Sequence, residues 1–273
     1  MKAPSFQLKN VGRTFGERIA LRQVSVEIPA GQIVALAGPS GAGKSTLIRL
    51  LAGVLKPTTG HLLADGKEMA SWSWREVQEY RGSCRIIEQG HLLVTQLSVH
   101  QNTISGHLAL WPWYKVLAAA LWPIEKERVR AVLDSLGIAE HQFRIAGELS
   151  GGQMQRVAIA RALISDPRAI FADEPTASLD PNTARAVTET ILAQARARGV
   201  TLIFCTNHLS AVLPQCDRVI GLREGELVLD SPASSLRLPS ALNLLYENSD
   251  ERQVMADHGQ EWQGMKNSGA DPE

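Results

Sequence analysis

A glycine-rich run near residue 40 combines the residue types that bind nucleotide phosphates. Glycines allow several backbone N–H groups to point at one anion. Lys44 can then reach the outer phosphates, and the Ser45 hydroxyl can bind Mg²⁺. The spacing therefore predicts a site for a nucleoside triphosphate with Mg²⁺. The run consists of Gly38, Pro39, Ser40, Gly41, Ala42, Gly43, Lys44, Ser45 and Thr46.

The residues on either side of this run predict the elements that a phosphate loop needs. Gln32–Ala37 is a short apolar run, typical of a buried parallel strand. Leu47–Ala52 is made mostly of helix-forming residues and is followed by Gly53, which favours a helix end. The N-terminus of that helix would add partial positive charge beneath the phosphates. A chance match to the glycine pattern is the alternative, and the flanking strand and helix argue against it.

Two adjacent acidic residues follow a second apolar run. Ala169–Ala172 predicts a buried strand, and Asp173 and Glu174 lie at its carboxyl end, where open α/β sheets bind ligands. Asp173 is placed to hold Mg²⁺, and Glu174 could act as general base on an attacking water. A solvated strand end with two acids would look the same in isolation. The phosphate loop elsewhere in the chain favours the catalytic interpretation.

A third motif, Leu149-Ser150-Gly151-Gly152-Gln153, identifies a family. Ser150 can cap the helix that follows, and the two glycines leave N–H groups free for a phosphate. Together with the phosphate loop and the acidic pair, in this order and spacing, the motif makes the chain similar to the ATP-binding cassette (ABC) ATPases. The resemblance extends from about Phe6 to about Asp230.

The resemblance implies an α/β fold. We expect a P-loop NTPase core of RecA type, with an antiparallel β subdomain and an inserted α-helical subdomain. The ABC ATPase domain would span residues 6–230, with the helical insertion at about residues 90–165. Residues 231–273 would form a C-terminal extension whose end, from about Asn248, is polar enough to be disordered.

Further roles follow from the resemblance. Phe15 would stack on adenine, although an aromatic residue there could also pack beneath the hairpin. Gln89 would contact the metal and the attacking water, and His208 would contact the γ-phosphate. Ser178 and Asp180 would belong to a loop that crosses a dimer interface.

The same resemblance implies a homodimer. Each ATP would lie between one subunit's phosphate loop and the Ser150, Gly151, Gly152 and Gln153 of the other. Closure would depend on ATP, and hydrolysis would reopen the pair. The implied catalytic residues are Glu174, His208 and Gln89, and the implied metal ligands are Ser45, Gln89 and Asp173.

Composition constrains the location and partners. The chain has 273 residues, and its 28 basic residues balance 28 acidic ones, which does not indicate a nucleic-acid partner. Cys84, Cys205 and Cys216 lack metal-ligand spacing, and a reduced, cytosolic compartment is the simplest interpretation. Met1–Asn10 has no apolar core of signal-peptide length. Ile104–Ile124 is apolar but is interrupted by prolines and charges, so it is not a predicted membrane span.

A single cassette without a membrane span resembles the separate ATPase subunit of a bacterial importer. Its long aromatic insertion, Gly106–Pro123, is most similar to that of phosphonate-type ATPases, which implies phosphonate, phosphite or a related oxyanion as cargo. Trp111, Trp113 and Trp122 would contact integral membrane permease subunits at the cytoplasmic face of the inner membrane, although they could simply pack the helical subdomain. A separate substrate-binding protein would complete the system.

The sequence departs from the importer pattern at two places, and two alternative functions stay open. Glu88 stands where importers usually have an aromatic residue, and His100-Gln101 precedes Asn102 in place of the more usual apolar residue and Glu. Both departures flank the expected permease surface. One alternative is a soluble ABC ATPase in a metabolic or repair complex. The other is a P-loop kinase, which would have no use for Leu149–Gln153.

Overall fold

The strands form in short runs of apolar or alternating residues. The computed structural model describes residues 2–88, 93–108, 110–177, 179–206 and 209–246. In β3 and β8 all five residues are buried, as expected for strands covered on both faces. The strands are β1 (Phe6–Phe15), β2 (Arg18–Ile28), β3 (Ile33–Ala37), β4 (Thr59–Ala64), β5 (Lys67–Glu68), β6 (Cys84–Ile87), β7 (Ala169–Asp173), β8 (Thr201–Cys205), β9 (Arg218–Arg223) and β10 (Glu226–Pro232).

The strands form two sheets. The larger sheet has the order β10-β9-β3-β8-β7-β6, and all of its neighbouring pairs are parallel except β9 and β10. The smaller sheet, β2-β1-β4-β5, is antiparallel. Parallel neighbours need crossover connections, and helices supply most of them. Because β3 and β7 are both parallel to β8, their carboxyl ends lie at the same edge of the larger sheet.

The helices cover the sheets and build the predicted insertion. α3, α4, α5 and α6 lie between β6 and β7 in the chain, so they form the helical subdomain. The α-helices are α1 (Lys44–Leu51), α2 (Trp74–Ser83), α3 (Val99–Ile104), α4 (Trp113–Leu121), α5 (Lys126–Asp134), α6 (Gly151–Leu163), α7 (Pro181–Arg198), α8 (Leu209–Val212) and α9 (Leu238–Leu245). Short 3-10 turns are at Met69–Ser71, Ser105–His107, Ala139–His141, Ala146–Glu148 and Ala233–Ser235.

Alternation along β3 divides the core between the two faces of the larger sheet. Ile33, Ala35 and Ala37 belong to a cluster that includes the helical subdomain and α7. Val34 and Leu36 belong to the other cluster, together with α1 and the antiparallel sheet. The strand that precedes the phosphate loop is therefore held from both sides.

The α/β fold with its β subdomain and helical insertion is confirmed. Part of the C-terminal extension is ordered, since α9 buries Ala241 and Leu245, and no helix was expected there. The domain limits at 6–230 and 231–273 stay predictions. Within the described ranges, none of the helices combines the length and the apolar character that crossing a bilayer requires.

Candidate functional site: a phosphate-binding cavity

The phosphate loop connects β3 to α1, and its glycines are required by close backbone contacts. Gly38 has a φ of 147°, and a Cβ there would lie 2.1 Å from the Leu222 carbonyl oxygen. Gly43 has a φ of 101°, and a Cβ there would lie 2.6 Å from the Ala20 carbonyl oxygen. No side chain fits at either distance, so the sequence forms this loop only with glycine at both positions.

A cavity of about 410 Å³ opens above this loop. It brings together three regions that are far apart in the sequence: the β1–β2 turn, the phosphate loop and the end of β7. The predicted aromatic, phosphate and acidic residues therefore share one site. The lining residues are Phe15, Arg18, Ala20, Ser40, Gly41, Ala42, Gly43, Lys44, Ser45, Thr46, Asp173 and Glu174.

Lys44 already has partners inside the chain. Its side chain is buried, and Nζ donates to the Gly38 carbonyl at 2.6 Å and to the Pro39 carbonyl at 3.1 Å. The same Nζ lies 3.7 Å from Oε1 of Glu174. A buried ammonium needs such partners, because burial without them is very unfavourable. A phosphate entering the cavity would exchange with these contacts.

Asp173 ends β7, and Glu174 follows with an unusual backbone. The φ of Glu174 is 47°, in the left-handed region that costs a non-glycine residue about 1 kcal/mol or more. Asp173 is paired in register with Cys205 of β8. Burial, and then the nearby Asp173 carboxylate, raise the pKa of the Cys205 thiol well above its usual value. The thiol that pairs with the end of β7 therefore stays neutral.

Phe15 is half exposed at the mouth of the cavity, with an arginine beside it. The Arg13 guanidinium lies 4.5 Å from the centre of the Phe15 ring, and Arg13 also donates to the Lys56 carbonyl at 3.0 Å. The ring therefore has a fixed cation over one face. This arrangement fits an aromatic residue that stacks on a base better than one buried beneath the hairpin.

The Ser150 motif begins α6 with a capping box. Ser150 Oγ accepts from the Gln153 N–H at 3.3 Å, and Gln153 Oε1 accepts from the Ser150 N–H at 3.0 Å. Gln153 Nε2 also lies 2.9 Å from Nε2 of His141. Of the described residues that line the cavity, none belongs to this motif. Sequence reasoning identified the cap but missed His141, which holds the Gln153 amide from a distant 3-10 turn.

Gln155 is a second residue that the sequence analysis missed. It is almost fully buried in α6, and its Nε2 donates to the Pro175 carbonyl at 2.6 Å. Pro175 directly follows Glu174, so this hydrogen bond joins the helical subdomain to the acidic pair. The residue type alone carries no signal for this contact, which depends on the packing of α6 against the end of β7.

Three predicted site residues, Gln89, Ser178 and His208, lie outside the described residues. Asp180 is described, and it caps α7 by accepting from the Thr183 N–H at 3.0 Å. Hydrogen bonds from Thr183 lower the pKa of the Asp180 carboxyl, which is therefore ionised at neutral pH.

The two departures from the importer pattern have structural partners. Glu88 lies 3.6 Å from Nη2 of Arg49 in α1. His100 is 1% exposed, and its Nδ1 lies 3.2 Å from Nε2 of Gln142. Gln101 completes the capping box of α3 with Ser98. His100 is thus an interior residue, unavailable to a docking partner.

The tryptophans of the insertion have different environments. Trp111 is partly buried and stacks on His107 with ring centres 4.9 Å apart, while Lys115 Nζ lies 4.1 Å from the centre of the Trp111 ring. Burial lowers the pKa of His107, which keeps the ring neutral. By contrast, Trp113 is 78% exposed and Trp122 is 64% exposed. They belong to an exposed surface, here called the apolar α4 face, which consists of Trp113, Tyr114, Leu117, Leu121 and Trp122.

Comparison with solved structures supports the architecture. The chain is 27% identical to a dimeric structure of MJ0796, described as a bacterial ABC transporter cassette, with a TM-score of 0.73 over 85% of this chain and 100% of that one. It is 26% identical to cbiO1 from Clostridium perfringens, described as part of the ABC transporter complex cbiONQ, with a TM-score of 0.71 over 92% of this chain and 98% of that one.

Comparison of sequences gives the family. A relative from Wolinella succinogenes, named phosphonates import ATP-binding protein PhnC, is 37% identical over 93% of both chains. A protein of the same name from Anaeromyxobacter dehalogenans is 44% identical over 89% of this chain, which spans only 48% of that longer relative. The family model described as ABC transporter matches residues 21–177. The chain therefore belongs to the ABC transporter family, as one of its ATP-binding, ATP-hydrolysing subunits.

Proposed function

We propose that this chain is the ATPase subunit of an importer for phosphonates or a related phosphorus oxyanion. The observation that carries this proposal is the similarity over 93% of the chain to a protein named as a phosphonates import ATP-binding protein. Further relatives from Agrobacterium fabrum and Rhizobium meliloti carry the same name at 39% identity. The transported substrate would not touch this chain, so its chemistry is not expected to be visible in the cavity.

The cavity would bind the nucleotide from base to terminal phosphate. The Phe15 ring, with Arg13 over one face, offers its other face to adenine. The phosphate loop, Gly38 to Thr46, would hold the phosphates through its N–H groups. Lys44 would exchange its carbonyl partners for phosphate oxygens.

The oxygen donors of the cavity fit Mg²⁺. The Ser45 hydroxyl and the Asp173 carboxylate both line the cavity, and Mg²⁺ prefers such oxygen ligands together with substrate phosphates. Gln89 is the third proposed ligand. The ion would neutralise charge on the phosphates during transfer to water.

Glu174 is the proposed general base, with Gln89 and His208 as its proposed catalytic partners. Its carboxylate lines the cavity, and the left-handed backbone at this position is a form of strain that clusters at functional sites. Ordinary strand residues do not need that conformation. A water between Glu174 and the terminal phosphate would lose its proton to the carboxylate.

A second copy of the chain would complete the site. Ser150 and Gly151 are exposed at the N-terminus of α6, away from this chain's own cavity, so their free groups can reach a phosphate held by a partner. Gly152 and Gln153 belong to the same proposed contact, and Ser178 and Asp180 to the loop proposed to cross the dimer interface. The dimeric structures of a related cassette support the dimer, though only as an association of two copies.

The apolar α4 face is the proposed docking surface for the permease subunits. Five large apolar side chains exposed together suit a protein contact better than solvent. Trp111, which is partly buried, belongs to the same proposed contact as Trp113 and Trp122. This assignment places the subunit at the cytoplasmic face of the membrane, with a separate binding protein to deliver the substrate.

Purification from native membranes tests the proposal. The tagged chain, extracted in mild detergent, should copurify an integral membrane protein in a 1:1 ratio. Deleting the gene of this ATPase subunit should abolish growth of the host on a phosphonate as sole phosphorus source and leave growth on phosphate intact. Recovery only with soluble proteins would contradict the transport role. Recovery with a permease but unchanged growth on phosphonate would contradict the proposed substrate and leave the transport role in place.

A further inference from the structure

Arg18 is a cation in the nucleotide cavity that no motif assigns. It is the first residue of β2, two residues after Gly16 in the β1–β2 turn, and its side chain lines the cavity together with Phe15. Its Nη2 lies 4.0 Å from the point that a Cβ on Gly41 would occupy. The guanidinium is therefore beside the middle of the phosphate loop.

Among the described residues, Arg18 lacks the polar partners that the neighbouring cations Arg13 and Lys44 have. Arg13 is held by the Lys56 carbonyl and the Phe15 ring, and Lys44 is held by two loop carbonyls. Within residues 2–88, 93–108, 110–177, 179–206 and 209–246, the structure gives Arg18 neither a hydrogen bond nor an ion pair. Its five N–H donors are available to an incoming ligand.

We infer that Arg18 binds the phosphate chain of ATP in the same subunit. This inference rests on the proposed nucleotide site. A guanidinium matches the spacing of phosphate oxygens and donates to two of them at once. The β1–β2 turn then holds the nucleotide at two points, with the Phe15 ring on the base and the Arg18 guanidinium on the phosphates.

The contact between Arg18 and the phosphates would connect the two sheets. Arg18 belongs to the antiparallel sheet, whereas the phosphate loop belongs to the parallel sheet. A nucleotide bound to both links the two sheets through its phosphates. Affinity should then increase with the number of phosphates, because each phosphate adds negative charge near the guanidinium.

Equilibrium binding to the full chain tests the inference. We would use Glu174→Gln as background to prevent turnover, and compare ATP, ADP and AMP by displacement of a fluorescent nucleotide. Arg18→Gln should weaken ATP and ADP binding about tenfold and AMP binding much less. Arg18→Lys should restore part of the loss, since the charge returns without the bidentate geometry.

Arg22→Gln is the matched control. Arg22 is an exposed arginine on the same strand that lines a different groove, with Ser25, Thr59 and Glu226. Its removal should leave all three affinities unchanged. The urea midpoint of apo Arg18→Gln should also equal that of the parent, because among the described residues the Arg18 side chain has no hydrogen bond or ion pair to lose.

Three results would overturn the Arg18 contact and leave the nucleotide site in place. They are unchanged ATP affinity in Arg18→Gln, an equal loss of affinity for ATP, ADP and AMP, and a lowered urea midpoint, which would show a structural role. Failure of the parent protein to bind ATP would instead overturn the proposed nucleotide site, and the Arg18 contact with it.

Discussion

The nucleotide cavity and the apolar α4 face differ in how their side chains are satisfied. In the cavity, Lys44 already bonds to two carbonyls and lies near Glu174. On the α4 face, Trp113 and Trp122 expose most of their surface to water. A ligand entering the cavity exchanges one set of polar contacts for another, so the net binding free energy is modest. Binding is selective, because only a ligand with matching polar groups can replace those contacts. A partner covering the α4 face removes apolar area from water, which favours association without much selectivity.

The largest expected effect comes from removing a polar group of the nucleotide cavity. Glu174→Gln removes the proposed base while preserving size, so ATP hydrolysis should fall by about a hundredfold or more and ATP binding should remain. Phosphate release and nucleotide binding measure the two quantities. Glu224→Gln, an acid with positive φ in the β9–β10 turn, is the control and should hydrolyse ATP normally. A Glu174→Gln protein with a near-normal rate would contradict the assignment.

The next largest effect is expected from removing tryptophans of the apolar α4 face. The double variant Trp113→Ser, Trp122→Ser should weaken association with the permease by about 2 kcal/mol or more, which is about thirtyfold, because buried tryptophans dominate such contacts. ATP hydrolysis by the isolated subunit should not change. Copurification of the permease measures the loss.

Trp74→Ser is the matched control for this pair, since Trp74 of α2 is also 78% exposed. Its copurification should equal that of the parent protein. Equal losses in Trp74→Ser and the double variant would indicate a general surface effect and remove the α4 face from the proposal.

A smaller effect concerns the connection between the helical subdomain and the cavity. Gln155→Leu leaves the Pro175 carbonyl without its donor, which should lower the free energy of unfolding by about 1–3 kcal/mol. The hydrolysis rate should fall as well, because Pro175 follows Glu174. Urea denaturation and phosphate release measure these changes. Gln78→Leu, on the exposed side of α2, should change neither quantity. A normal hydrolysis rate in Gln155→Leu would disconnect the contact from catalysis.

The smallest effect concerns Cys205, the residue of β8 that pairs with Asp173. Because burial raises the pKa of Cys205 well above its usual value, the thiol stays protonated in the folded chain at a pH where the unfolded chain ionises. Its contribution to stability is therefore complete below about pH 8.5 and declines as the pH rises. At pH 9 the loss from this one thiol is about 1 kcal/mol. Urea midpoints from pH 7 to 9 measure it, and Cys205→Ala should show a shallower decline than the parent; an identical slope would exclude Cys205 as its source.

Local patterns predicted the elements better than they predicted their contacts. The phosphate loop was recognisable because the glycines, the preceding strand and the following helix are contiguous in sequence. The position of Arg18 beside the phosphate loop and the contact of Gln155 with Pro175 were missed because strand register and helix packing determine them. Trp111 and Trp113 show the same limit: they are two residues apart, yet one stacks on His107 and the other faces solvent.

The C-terminal helix shows a different limit. α9 has eight residues, too few to be stable alone, and it follows a stretch without a strong helix signal. It forms against β9, where Gly221 leaves space: a Cβ there would lie 2.5 Å from Leu245 Cδ2. Packing, more than propensity, determines this helix.

The position of β3 in the larger sheet has a consequence for synthesis on the ribosome. β3 lies between β8 and β9, whose residues begin at Thr201 and Arg218. Translation at about 5–20 residues per second delays both neighbours by on the order of ten to thirty seconds after β3 emerges. During that interval the strand and its phosphate loop have no native neighbour in the sheet. The nascent chain is therefore a natural client for chaperones until its last third has been made.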